Sequence, residues 1–422
     1  MSLLQVRGGK SLLGDVEISG SKNSALKVLI ASLFSHEEVT LSNIPKIKSI
    51  ENEIKIMESL GSKIEYFNDN YLRIDNSKLH SFEIPEEIGK NLNTSYLFAG
   101  PLLFRFGEAK IPLPDSGIES IEKFLNTWAL LDIEINFDDK FIYLRSDNFK
   151  PNDIEISRGS NMGTDNAILC SIFSNGVCRI INSSEGVEVK DLIDFCNLIG
   201  AQIEYENKKV LRIIGKKHFR GASFEIVSDL SEIVFFTVLT LITNGNIILK
   251  NIDKSHLSFL MSFLNKIEAN YDFTSNQELR VWKKSGVLKS FEITASSYPN
   301  ITSDFVPYFV VLAFFCEGES KIFDLSYKNK FDYVYHLNKF GAKIKIFEGI
   351  KDYEKCELIL KQNEGINLSK YKVTSFYSGM VFFLLSLGLD SETEILDYEI
   401  LEADFEKLFS KVVKLGADIS YA

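Results

Sequence analysis

LIGAQIEY, residues 198–205, ends a helix on a glycine and opens a strand in which apolar and polar residues alternate. The same element recurs as SLGSKIEY (59–66), LLDIEINF (130–137), KIEANYDF (266–273), KFGAKIKI (339–346) and KLGADISY (414–421). The interval is about 70 residues, longer than a solenoid repeat and suited to a small subdomain. A second element keeps step: an apolar helix, a tight turn and a short alternating strand, as in SLFSHEEVTLSNI (32–44), CSIFSNGVCRIIN (170–182) and TLITNGNIILKNI (240–252). Six units of helix, strand, helix, strand are expected, with extra strands between them.

Stretches such as AILCSIF and YFVVLAFF are apolar on nearly every face, so their helices must be buried, while the more amphipathic helices before the LGA turns cover one side. A chain of 422 residues exceeds what one hydrophobic core usually supports, and six units divide into two domains of three. The 45% hydrophobic and 25% charged content is that of a soluble globular protein. A net charge of −11 argues against general nucleic-acid or anionic-membrane binding, so an anionic ligand needs a focused cationic site. The opening MSLLQVRGGKSLLGD has no apolar core of signal-peptide length, and runs such as IVFFTVLTLI (233–242) are about half the ~20 residues of a membrane span; a cytoplasmic chain is expected. Five cysteines without CxxC spacing indicate neither a disulfide framework nor a zinc site, and the five histidines show no HExxH-type pairing.

Several blocks, in order, resemble the enolpyruvyl (carboxyvinyl) transferase family along the whole chain: GDVEISGSKNSALKVLIASLF (14–34), SNIPKIKSIENEIKIMESLGSKIE (42–65), TSYLFAGPLLFRFG (94–107), TSDFVPYFVVLAFFCEG (302–318) and KNKFDYVYHLNKFGAKI (328–344). The LGA-x-I strands and KNKF are more similar to the branch that acts on UDP-N-acetylglucosamine for peptidoglycan than to the shikimate branch. The resemblance implies an α/β fold of two inside-out α/β barrels, built from six βαβαββ-type units, three per domain, with buried helices. It also implies two chain crossings, so that residues 1–20 plus 230–422 form a discontinuous domain and 21–229 a continuous one, with Lys22 at a crossing.

The buried helices begin with polar loops: SGSKNSAL (19–26), KNLNTSYL (90–97), GSNMGTDNAIL (159–169), SDLSEIVFF (228–236), TSDFVPYF (302–309) and VTSFYSGMVFF (373–383). If these ends face one cleft, their unpaired N–H groups and positive dipole ends form an anion trap in an acidic protein. Read locally, Asn23 and Ser24 would cap a helix, Lys22 would be solvated, and Asp304 would be an N-cap. The resemblance instead implies that Lys22 meets a phosphate, that Asn23 hydrogen-bonds the hydroxyl or reaction intermediate, and that Asp304 is the general base. Phosphoenolpyruvate and a UDP-sugar or similar nucleotide-like acceptor are the implied small-molecule substrates, with no metal and no organic cofactor.

The family binds two anions with a ring of arginines, whose planar forks suit carboxylate and phosphate. Block alignment puts Asn93, Leu230 and Tyr377 where the family has arginine, and ILEADFE (400–406) carries no basic residue; Lys330 alone keeps a positive charge. The loop near 113–120 is about three residues shorter than the family's and has no cysteine, leaving Asp115 as the candidate loop acid. Gly163, through its backbone N–H, and Glu188 are the remaining candidate substrate-binding residues. Coordinated loss of clamp and loop also supports a second reading, a catalytically silent paralogue that binds or regulates.

Overall fold

A helix apolar on every face packs in the interior. In the computed structural model the helices Lys22–Ser32, Asn161–Ser171, Leu230–Ile242, Val306–Ala313 and Phe376–Gly388 are buried along nearly their whole length. Lys48–Leu60, by contrast, buries Ile50, Ile54, Met57 and Leu60 at three- and four-residue spacing, a single apolar stripe. The structure describes residues 2–68, 70–115, 121–147, 149–283, 286–324, 332–348, 356–361 and 365–421. The chain forms two compact units, one of residues 20–227 and one of residues 1–19 with 228–422.

One sheet pattern recurs in both units. In residues 20–227, Val39–Ser42 runs parallel to Ser223–Glu225 and antiparallel to Tyr71–Asp75, which pairs with Lys63–Asn68. Val177–Ile181 sits in the same way between Asp153–Glu155 and Val210–Ile214, with Gln202–Asn207 beyond. A third sheet, Glu108–Pro112, Phe141–Arg145 and Glu134–Phe137, has a single parallel bridge from Glu83 to Lys110 where the others have a fourth strand. In the other unit Leu13–Glu17, Glu292–Ala295 and Lys370–Lys372 are the parallel partners of Asn246–Lys250, Glu319–Asp324 and Glu392–Leu396. The sheets are open, and among the described residues no set of strands closes into a barrel. The architecture is mixed α/β.

The recurring helix-to-strand turn has one backbone signature. Gly61, Gly200, Gly341 and Gly416 have φ between 101° and 114°, and Asp132 and Glu268 take the corresponding positions of LLDIEINF and KIEANYDF at φ 61° and 58°. Asparagine serves a second left-handed position after a strand: Asn43, Asn182 and Asn251 each donate Nδ2 to a backbone carbonyl, of Ile226, Ile156 and Ile18, at 2.8 Å. Each such bond ties the end of a central strand to the segment leaving its parallel neighbour.

Two glycines are fixed by close approach. A Cβ on Gly20 would lie 1.7 Å from the Asn43 carbonyl oxygen, and one on Gly100 would lie 2.6 Å from that of Leu169, where the Ala99–Phe106 helix meets Asn161–Ser171. Cys170, Cys178, Cys196 and Cys316 are buried free thiols, as core cysteines should be. No helix among the described residues is long and apolar enough to cross a membrane.

Candidate active site

In the unit of residues 20–227, Ser21 is the last extended residue before the Lys22–Ser32 helix, and its Oγ accepts the Ser24 N–H at 3.3 Å. The cap is therefore Ser21, not Asn23 or Ser24, because the chain turns helical at Lys22, at least two residues earlier than the local pattern indicates. Lys22 and Asn23 are the first two helical residues, Lys22 half-buried and engaged in contacts, Asn23 exposed. The Ser24 hydroxyl donates to the Asp191 carboxylate, which also accepts the Val227 N–H at 3.3 Å. Burial pushes the Asp191 carboxyl up to about 6, against the lowering effect of those two donors.

One turn further on, Lys27 Nζ lies 2.8 Å from Asp165 Oδ2 on the Asn161–Ser171 helix, both side chains buried. Burial pushes Asp165 up to about 6; Lys27 and the more distant Lys123 oppose this, and Glu188, on the first turn of Val187–Leu198, adds to it. Gly163 stands in the first turn of its helix, where its N–H donates to the Ser160 hydroxyl at 3.2 Å. A diphosphate meeting that N–H has to displace the Ser160 cap. Asn93 is exposed at the start of the Asn93–Phe98 3₁₀ turn. Beside it the Thr94 hydroxyl donates to Glu53 at 2.8 Å, and burial holds the Glu53 carboxyl well above its usual range. Asp115 is exposed, its carboxylate 3.9 Å from Lys90 Nζ.

In the unit of residues 1–19 and 228–422, Asp304 lies in the Ser303–Phe305 turn that leads into Val306–Ala313 and is exposed at its edge. Tyr377, on the first turn of Phe376–Gly388, donates its hydroxyl to Asp304 Oδ1 at 2.6 Å. Tyr308 is fully buried one turn beyond Asp304, its hydroxyl 3.4 Å from Ser231 Oγ. Asp229 caps Leu230–Ile242 through the Ser231 and Glu232 N–H groups at 2.7 and 3.0 Å. Just inside that helix Glu232 is buried; it accepts the Ser19 N–H at 2.8 Å and pairs with Lys411, which also donates to Ser19 Oγ at 2.7 Å. Burial pushes Glu232 up to about 7, with Lys411 opposing.

The expectation of unpaired N–H groups at six helix starts is corrected at four of them, where Ser21, Ser160, Asp229 and Ser375 accept first-turn N–H groups. The dipole ends remain, but a ligand competes with built-in caps. Lys330 and residues 116–120 of the shortened loop lie outside the described residues. Local reading missed Lys27, Asp165, Glu232 and Lys411. Three of them are lone charges in apolar helical runs, and that is the signal that could have found them, since a buried charge requires a partner.

A family model described as EPSP synthase (3-phosphoshikimate 1-carboxyvinyltransferase) matches residues 6–412. The chain belongs to this enolpyruvyl transferase family. It is 29% identical over 423 residues to a UDP-N-acetylglucosamine 1-carboxyvinyltransferase of Finegoldia magna, covering 99% of this chain and 98% of that one. To the protein of the same name from Wolbachia pipientis wMel it is 30% identical over 421 residues, covering 97% of each. The enolpyruvyl transferase NikO of Streptomyces tendae matches with a TM-score of 0.89 at 20% identity, covering 100% of this chain and 99% of that one. An EPSP synthase of Acinetobacter baumannii matches with a TM-score of 0.78 at 12% identity, covering 100% of both chains. These two likenesses are of fold. Within the family, the curated relatives named here carry the name of the sugar branch, as the LGA-x-I and KNKF blocks do by resemblance.

Proposed function

We propose that this family member moves the enolpyruvyl group of phosphoenolpyruvate to a hydroxyl of UDP-N-acetylglucosamine or a related nucleotide-like acceptor, releasing phosphate. The observation that carries the reading is Asp304, an exposed carboxylate at the start of a buried helix, held by a hydrogen-bond donor on a second helix. Asp304 takes the acceptor's proton as the oxygen bonds to C2 of phosphoenolpyruvate and C3 gains a proton; the adduct then loses phosphate from C2 and a proton from C3, restoring the double bond. Lys22 neutralises the phosphate, Asn23 hydrogen-bonds the adduct, and Asp115 is the loop acid. Lys330 meets the carboxylate, while Gly163, its N–H exchanged from Ser160, and Glu188 attend the acceptor. In the same reading the three sheets of each unit wall its buried helices as inside-out barrels. The reaction belongs to cytoplasmic peptidoglycan synthesis and uses no metal or organic cofactor.

Phosphate release from phosphoenolpyruvate with UDP-N-acetylglucosamine tests this, for the wild type, Lys22→Ala and Asp304→Ala. Turnover that falls at least ~100-fold in both variants is expected. Absence of turnover in the wild type, with no rise in melting temperature on adding UDP-N-acetylglucosamine, overturns UDP-N-acetylglucosamine as the acceptor and leaves a different acceptor or a silent paralogue.

A further inference from the structure

The helix starts in the unit of residues 1–19 and 228–422 gather carboxylates and phenols. Around the Tyr377–Asp304 hydrogen bond stand Tyr308 from the helix that follows Asp304, Asp229 from the start of Leu230–Ile242, and Asp404 from the segment after the Tyr398–Leu401 turn. The Tyr377 ring is half-buried and packs edge-on against Phe376, with centroids 5.6 Å apart, so the phenol is held while its hydroxyl reaches the exposed Asp304.

We propose that Tyr377 is the positioning residue for Asp304, a phenol that aims the carboxylate through a neutral hydrogen bond at a position where the resembled enzymes have arginine. The proposal rests on the enolpyruvyl-transfer reading. A guanidinium at this place would bring a full positive charge and a two-pronged grip on the carboxylate. A phenol fixes one carboxylate oxygen, and so orients Asp304, without adding a charge. The donor is dependable: burial first, then the Asp304 charge, then Tyr308 and Asp404 hold the Tyr377 hydroxyl far above its usual range, so it remains protonated at any working pH. A short hydrogen bond to an ionised acceptor is the stronger kind, and it links two helices 73 residues apart in the chain.

The test combines kinetics with a measurement that needs no turnover. Tyr377→Phe removes the hydroxyl and keeps the ring. In Tyr377→Phe, kcat is expected to fall ~10-fold or more with KM for phosphoenolpyruvate little changed, since positioning acts on the base and not on substrate affinity. The carbon-13 carboxyl resonance of Asp304, assigned through Asp304→Asn, should shift at fixed pH in Tyr377→Phe of the resting protein, because the carboxylate loses a hydrogen-bond donor. If that resonance does not move in Tyr377→Phe, the positioning role is overturned whatever the activity. An increase in KM at unchanged kcat overturns it in favour of substrate binding by the phenol. If the resonance moves but the wild type releases no phosphate, the transfer reading is overturned while the contact between Tyr377 and Asp304 stands.

Discussion

Lys27 and Asp165 form a buried ion pair at 2.8 Å that joins the Lys22–Ser32 helix to the Asn161–Ser171 helix, five residues beyond Lys22 and two beyond Gly163. Two candidate substrate-binding helix starts are thus fixed to each other by a contact that local sequence does not announce. Lys27→Met leaves Asp165 buried without its cation and is expected to cost about 3–5 kcal/mol in urea unfolding. Lys27→Met combined with Asp165→Leu should recover most of that loss. A loss in the double variant equal to the sum of the losses in Lys27→Met and Asp165→Leu alone would show that the pair is not coupled.

Stability should fall with rising pH on account of Glu232. In the folded chain it titrates at about 7, above the 4.5 of an ordinary glutamate, so between these limits the folded chain binds more protons than the unfolded chain. The favourable contribution is present below about pH 4.5 and is lost as pH rises through about 7. Comparison of urea midpoints at pH 5 and pH 8 should show a smaller difference in Glu232→Gln than in the wild type, by about 2–3 kcal/mol. An unchanged difference would mean that Glu232 does not titrate in this range.

Gly20→Ala should be poorly tolerated. The added methyl group would have to occupy the space of the Asn43 carbonyl oxygen, 1.7 Å away, and the backbone can yield only by shifting the segment that sets Ser21 and Lys22. A loss of about 3 kcal/mol is expected, together with a loss of phosphate release, because the helix start carrying Lys22 moves. Thermal unfolding and the phosphate assay, run on the same preparation, check both effects.

Ser160→Ala removes a cap from the Asn161–Ser171 helix and should cost about 1 kcal/mol. It also frees the Gly163 N–H. If that N–H receives the diphosphate of the acceptor, UDP-N-acetylglucosamine should bind Ser160→Ala more tightly than the wild type, since no cap has to be displaced. Calorimetric titration measures this, and weaker binding would place the diphosphate elsewhere.

Asn93→Arg places a fork at an exposed position that, in the proposed reading, stands where the resembled enzymes have arginine. It is expected to lower KM for phosphoenolpyruvate by about 10-fold, the order given by one charge-assisted hydrogen bond. A KM that does not change would show that Asn93 does not face the anion.

The periodic features were legible in the sequence because they follow from local geometry. The six turns announced themselves through a glycine, or an aspartate or glutamate in its place, forced into the left-handed region at a fixed point between helix and strand. The buried helices announced themselves by having no polar face. Lys22 and Asn23 could be placed close to a helix start, but the actual cap, Ser21, lies two residues before the expected Asn23 in the same short loop. What distance in the chain concealed was pairing. Nothing near Tyr377 specifies Asp304, nothing near Lys27 specifies Asp165, and Lys411 reaches Ser19 and Glu232 across 392 and 179 residues. The sequence by itself determined the repeat, the buried helices and the family. The tertiary structure decided which charges meet, because a buried charge is tolerated only beside its partner, and the partner is chosen by packing between helices rather than by neighbours along the chain.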